Sequence, residues 1–209
     1  MPLCSNMPPM DRPARRLAQL YAGLVLYGVS MALQIRAGLG LDPWDVFHQG
    51  VSEHTGLSFG TVVVITGAVV LLAWIPLRQR PGIGTVSNVI VIGIAVDASL
   101  ALLPEAGASP VAVAMLLAGV GLNGVASGAY IGAGLGPGPR DGLMTGLVRR
   151  TGGSIRVVRT SIEVAVLAVG AALGGTVGLG TVLYALSIGP LVHVLLPRMT
   201  IPQPAPAMA

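Results

Sequence analysis

The chain contains no lysine and a single cysteine, Cys4, and only 10% of its 209 residues are charged. Each shortage removes a class of protein. One cysteine excludes an internal disulfide framework and a cysteine-based metal site. A soluble domain carries about 25% charged residues because it must face water, so a chain with 53% apolar residues is solvated mostly by lipid. Also missing are a Walker loop, a His, Cys and carboxylate set at metal-ligand spacing, and any polar stretch long enough for a soluble enzyme or ATPase domain. "GLSFG" from Gly56 matches the nucleophile pattern G-x-S-x-G, but no strand precedes it. Ser58 and its counterpart Ser154 are read instead as N-caps of the helices that follow. The expectation is no enzyme, no cofactor and no metal, and any transport would be secondary or passive.

What is present is apolar length. Six stretches approach the roughly 20 residues that a hydrocarbon core of about 30 Å requires: 17–36, 59–77, 84–103, 111–132, 157–175 and 178–196. The first follows the basic flank "DRPARRLAQ"; it is too long for a signal-peptide core and lacks a cleavage site, so it reads as a retained span. The Pro-rich tails "MPLCSNMPPMDRP" and "PRMTIPQPAPAMA" read as disordered. Arginine sets the orientation. With the N-terminus in the cytoplasm, Arg12, Arg15, Arg16, Arg78, Arg80, Arg140, Arg149, Arg150, Arg156, Arg159 and Arg198 fall at or near the cytoplasmic face and only Arg36 outside, as the positive-inside rule asks. Both termini are then cytoplasmic. The net charge of +4 is a topology signal and implies no nucleic acid.

The chain is duplicated. "AGLGLDPWDVFHQG" from Ala37 reappears as "AGLGPGPRDGLMTG" from Ala133, 96 residues later, and the offset holds without a gap. Over 37–61 the identities are Ala37, Gly38, Leu39, Gly40, Pro43, Asp45, Gly50, Thr55, Gly56 and Ser58; beyond them "GIGTV" at Gly82 matches "GLGTV" at Gly178. Each half holds three spans, an odd number, so the second half enters from the opposite side and the repeat is inverted, a plan on which many transporters are built. Residues 1–16 are then a cytoplasmic basic tail, 17–104 the first repeat, 111–197 the second and 198–209 a cytoplasmic Pro-rich tail.

Between the first and second spans of each half lies a short helix, 43–54 and 139–150, of about 18 Å, too short to cross. Asp42 is placed to cap the first, Pro43 and Pro139 suit the first helical position, and Asp45 and Asp141 sit in the first turns. Two readings stay open. Each helix lies flat in an interface, or each is re-entrant, its Gly-rich lead dipping inward so that two helix N-termini meet a polar or anionic solute.

The duplicated LGxxPxD element, the TGxS after it and the GxGT motif resemble the bacterial YczE-type integral membrane proteins, which look related to the wider YitT-like group. The resemblance covers about Leu17 to Pro197. It implies a multi-pass protein of the bacterial plasma membrane and carries no substrate or catalytic residue with it. The two copies differ where Leu41 and Asp42 face Pro137 and Gly138.

Ionisable groups within apolar spans are costly and mark paths or partners. Asp97, Glu163 and His193 stand out. Asp97 and His193 are 96 apart, hence equivalent but at mirrored depths; Glu163 is placed to pair with His193, and Asp97 with Arg36. A local pair between Glu163 and Arg159, one turn earlier, is the plainer reading. Asn88, Asn123, Gln34, Tyr130 and Tyr184 read as interhelical hydrogen-bonding groups. Gly124, Gly128 and Gly132 form a small-residue stripe for close helix contact, within the chain or in a homodimer. The expectation is an all-α transmembrane protein of six spans in two inverted three-helix repeats, each with a short non-spanning helix. It would act as a secondary transporter or channel-like permease for a small polar or anionic solute, with Asp97, Glu163, His193 and Arg36 as gates. The alternative is a membrane-embedded accessory or regulatory protein that supports a partner complex and transports nothing.

Overall fold

The computed structural model describes residues 13–107 and 110–202, and these are all-helical. Cys4, Arg12 and most of both Pro-rich tails lie outside the described residues. The helices are α1 (Pro13–Ala37), α2 (Pro43–Thr55), α3 (Phe59–Trp74), α4 (Ile83–Leu102), α5 (Pro110–Gly132), α6 (Pro139–Thr151), α7 (Ile155–Ala172) and α8 (Leu179–Met199). Among them α1, α4, α5 and α8 are long and apolar enough to cross a membrane, and α2 with α3, bent by 115° at their junction, would count as a fifth. Of the six expected crossings, α3 and α7 do not reach that length and composition on their own. Helix α3 has 16 residues, about 24 Å against a core of about 30 Å, and the 18 residues of α7 include Arg156, Arg159 and Glu163.

The 96-residue recurrence extends to the coordinates. Helices α2 and α6 begin at Pro43 and Pro139, α3 and α7 at Phe59 and Ile155, α4 and α8 at Ile83 and Leu179. Both short helices open on proline, whose missing N–H is one the first turn does not need, and both close on a left-handed glycine, Gly56 at φ 71° and Gly152 at φ 68°. The paired motifs hold one another across the halves. Gly84 N–H donates to Leu135 O at 2.9 Å, and the equivalent Gly180 N–H donates to Leu39 O at 2.7 Å. The same surface is thus used twice, as at a two-fold interface. Thr85 and Thr181, from "GIGTV" and "GLGTV", each accept from the N–H three residues earlier, Gly82 and Gly178 at 3.2 Å. Thr85 also donates to Pro137 O at 2.7 Å. Gly40 (φ 113°) and Gly136 (φ 127°) need glycine twice over: their backbones are left-handed, and a Cβ would stand 2.6 Å from Gly178 N or 2.8 Å from Thr85 Oγ1.

The centre of the bundle is α1 against α5, running antiparallel. Arg16 at the start of α1 donates to Ala133 O just past the end of α5 at 2.9 Å, and Gln19 to Ala129 O at 2.9 Å. At the other end Gly119 of α5 lies against Ser30 and Gln34 of α1. Leu20, Leu24, Met31, Val96 and Ala126 are fully buried here. Because lipid is as apolar as leucine, association depends on close packing and interhelical hydrogen bonds. Gly23 supplies the first: a Cβ would meet Tyr130 N at 2.8 Å. Asn123 supplies the second, donating to Ser30 Oγ at 2.9 Å and accepting from Tyr184 OH at 3.1 Å. The glycine stripe is consumed inside the chain. Gly124 faces Leu191, and Gly128 and Gly132 face Met199 of α8, so this face is not free to pair two copies as the homodimer expectation requires.

Candidate functional site

The first turns of α2 and α6 meet at one cavity of about 270 Å³, to which all eight helices contribute. On α2, Asp42 is the N-cap: its Oδ1 accepts from Trp44 N at 2.8 Å and Asp45 N at 2.9 Å. Its extended backbone (φ −63°, ψ 159°) aims the side chain back along the helix. One turn on, His48 Nδ1 lies 3.3 Å from Asp45 Oδ1. Asp42, Asp45 and His48 are all within 2% of full burial.

Helix α6 presents Arg140 from its first turn. Its Nη1 lies 3.7 Å from Asp42 Oδ1 and its Nη2 3.9 Å from Asp45 Oδ1, ion-pair distances too long for hydrogen bonds. The guanidinium lies over the Trp44 ring, 4.9 Å from its centroid, a cation–π contact. The Arg140 side chain is 32% exposed, against 1% for Asp42 and Asp45. Asp141 turns back to the Gly138 N–H and Tyr130, and a Cβ on Gly138 would stand 3.2 Å from both Asp141 Oδ2 and Tyr130 OH. Trp74 Nε1 donates to Pro139 O at 3.0 Å and fixes the start of α6.

These groups sit on the short helices α2 and α6, and burial dominates their protonation. It raises the Asp42 carboxyl, with Asp45 adding to the rise and Arg140 opposing it. It raises Asp45 to about 7, again against Arg140. It lowers His48 to about 3, with Arg140 pushing the same way. The imidazole is therefore neutral at neutral pH, and Arg140 opposes the protonation that burial favours at both aspartates.

The residues singled out from sequence divide. Asp42, Pro43, Pro139, Asp141 and Glu163 line the cavity, and Asp45 lies behind Asp42 against Arg140. Glu163 pairs with Arg159 on its own helix at 2.9 Å, the i,i+4 alternative. His193 is exposed on α8 and is not among the cavity residues. Arg36 pairs with Glu105 at 3.1 Å and donates to Leu100 O at 2.5 Å. Asp97 lies outside the cavity too: it accepts from Ser58 Oγ at 2.6 Å and Gly60 N at 2.7 Å, a second cap on α3 delivered from α4. Asp97→Ala is expected to cost about 1–3 kcal/mol, read as a lower thermal midpoint in detergent. The sequence does not single out Arg140, His48 or the carboxylate pairing across the halves as a site. Arg140, which the sequence offers only as one of the arginines that set orientation, lines the cavity. Among the described residues no three His, Cys, Asp or Glu side chains are grouped to hold a metal.

Long apolar helices around a cavity lined by both polar and apolar side chains define a membrane protein. The chain belongs to the family of unknown function DUF6198, whose model matches residues 14–197, and is of the YczE type. It is 38% identical over 182 residues to an uncharacterized protein of Haemophilus influenzae, covering 87% of this chain and 84% of that one. It is 35% identical over 181 residues to the uncharacterized membrane protein YczE of Bacillus subtilis, covering 85% and 84%. A second Bacillus subtilis protein, the uncharacterized YyaS, is 26% identical over 182 residues, covering 84% and 89%. No solved structure matches significantly.

Proposed function

We propose that the protein is a multi-pass plasma-membrane permease, a secondary transporter or channel-like carrier of a small polar solute, and not an enzyme. Its halves are inverted repeats, α3 and α7 cross as short spans, and both termini are cytoplasmic. The observation that carries this reading is the meeting of the α2 and α6 N-termini, equivalent elements of the two halves, around one interior cavity. An interfacial helix would have its first turn at the membrane surface; Asp42 and Asp45 have 1% exposure. Re-entrant half-helices that present their N-termini to a central solute site are how several inverted-repeat transporters bind cargo. The antiparallel packing of the equivalent helices α1 and α5 favours inversion.

Two measurements test this. In a Cys4→Ser background, cysteines placed at the exposed Leu57 and Ile155, just past the two short helices, are expected to label from opposite sides of the membrane. Labelling from one side sinks the inverted plan. In proteoliposomes, solute flux is expected for the protein and not for a variant with the cavity blocked. No flux across a broad solute panel, with a membrane partner co-purifying in fixed ratio, would instead favour the accessory role.

A further inference from the structure

The two short helices differ at one position, and that difference indicates what the cavity holds. In the first half, the Asp42 carboxylate occupies the seat at the helix N-terminus and takes the N–H groups of Trp44 and Asp45. In the second half the equivalent residue is Gly138, with nearly the same backbone (φ −62°, ψ 158°) and no side-chain cap. The N–H groups of Arg140 and Asp141, equivalents of the two that Asp42 serves, therefore have no side-chain cap, and the place of a Gly138 Cβ is bordered by Asp141 Oδ2 and Tyr130 OH, each at 3.2 Å. The chain's own other half demonstrates that this seat suits a carboxylate.

A second, independent observation concerns Asp42 itself. Its Oδ1 is fully used, but its Oδ2 has no hydrogen-bond partner although the side chain is 99% buried in the cavity wall. A buried carboxylate oxygen demands a donor. Charge decides what kind of ligand meets both needs. Four carboxyl groups, Asp42, Asp45, Asp141 and Glu163, stand against Arg140 and Arg159 here, so a simple anion meets more acceptors than donors. A simple cation leaves the α6 amides without an acceptor. One molecule with both ends satisfies both and leaves the net charge unchanged. The separation fits as well: Arg140 Nη1 is only 3.7 Å from Asp42 Oδ1, so the two ends must be adjacent on the ligand. The remaining wall is apolar, with Val63, Val89, Ile92 and Ile188, and about 270 Å³ lies below the 300–1000 Å³ typical of drug-sized ligands.

From this we infer that the cavity binds a small zwitterion of the α-amino-acid type with an apolar side chain: its carboxylate lies on the α6 N-terminus and Arg140, and its ammonium lies toward Asp42. This rests on the cavity being the solute site proposed above. The test uses three matched probes on the full chain in detergent: L-valine, isovalerate, which lacks the amine, and isobutylamine, which lacks the carboxylate. Binding is read by calorimetry and by the emission of Trp44 and Trp74, the only tryptophans, both packed at the site.

L-valine is expected to bind saturably, one per chain, roughly 10- to 100-fold tighter than either analogue, the range expected of one charge-assisted contact. Gly138→Asn, which places a cap in the seat, is expected to weaken valine at least about tenfold and leave isobutylamine unchanged. Should that variant fail to fold, Asp42→Asn keeps an acceptor for the α2 amides while removing the charge; it is expected to weaken valine and spare isovalerate. Isovalerate or isobutylamine binding as tightly as valine overturns the inference, as does no response to any of the three at tens of millimolar. Because binding is scored without a membrane, valine binding with no flux removes only the transport reading. Flux of some other solute without zwitterion binding removes only this one.

Discussion

Arg140→Gln is expected to cost about 3–5 kcal/mol of stability, the range for removing one partner of a buried ion pair, and to abolish solute binding. Asp42 and Asp45 are each 1% exposed and share this guanidinium as their cationic neighbour. Glutamine fills most of the volume but supplies no charge. The variant can relieve the strain only by taking up protons, which gives the prediction a pH signature. Burial has already raised both carboxyls above their unfolded values, Asp45 to about 7, with Arg140 opposing the rise. A group whose folded pKa is raised favours the folded state below its unfolded pKa, and that advantage is lost as pH rises through the folded pKa. Without Arg140 the folded values move higher still, so the window of loss extends upward past about 7. The stability gap between variant and native protein should therefore narrow when pH falls from about 8 to about 5. Thermal unfolding in detergent at a series of pH values reads this directly. Arg140→Gln combined with Asp45→Asn should recover part of the loss at neutral pH. A gap that is constant with pH, or a double variant no better than the single, would show that the guanidinium is not what balances these carboxylates.

What the sequence reveals is local order. Gly-Pro-Asp at an offset of 96, closed each time by Thr-Gly, is enough to locate both short helices within a residue of their ends, because proline and left-handed glycine act on their own neighbours. The same reasoning finds Asp42 and Ser58 as caps. It cannot say what meets across the bundle. Asp97 is an acid in an apolar run, the usual mark of a path, but its two hydrogen bonds go to Ser58 and Gly60 on the next helix. "GIGTV" is visible as a motif, yet its Gly84 partner, Leu135, is 51 residues away in the other half. Arg140 left one readable trace. A cation in the first turn of a helix opposes the helix dipole, and Pro139-Arg140 therefore asks for an anion nearby. The positive-inside pattern carries no trace of that request, since a loop arginine and a cavity arginine weigh the same in it.

The contact between each short helix and its neighbour from the other half offers the sharpest test of the duplication, because the two copies fill it in opposite ways. Where α6 meets α3, Gly142 lies under the Trp74 indole, and a Cβ there would stand 2.5 Å from Cε2. At the equivalent place α2 meets α7, and the sizes are exchanged: Val46 occupies the position of Gly142 and Gly170 that of Trp74. A Cβ on Gly170 would stand 2.7 Å from the Val46 carbonyl carbon. Trp74→Gly alone should cost about 3–5 kcal/mol through the void it opens, and it also removes the Nε1 bond to Pro139. Gly142→Val alone forces a side chain into the indole and should cost about 1–3 kcal/mol or more. The double variant places at α3–α6 the residue pair that stands at α2–α7, where the α2 backbone itself approaches Gly170. It should be more stable than the sum of the single losses by about 2 kcal/mol, near the upper range of coupling between touching residues. Recovery will be incomplete, since the tether on Pro139 is not restored. Additive losses in thermal unfolding would mean that the two contacts are not equivalent, and that the fold is less symmetric than its 96-residue recurrence implies.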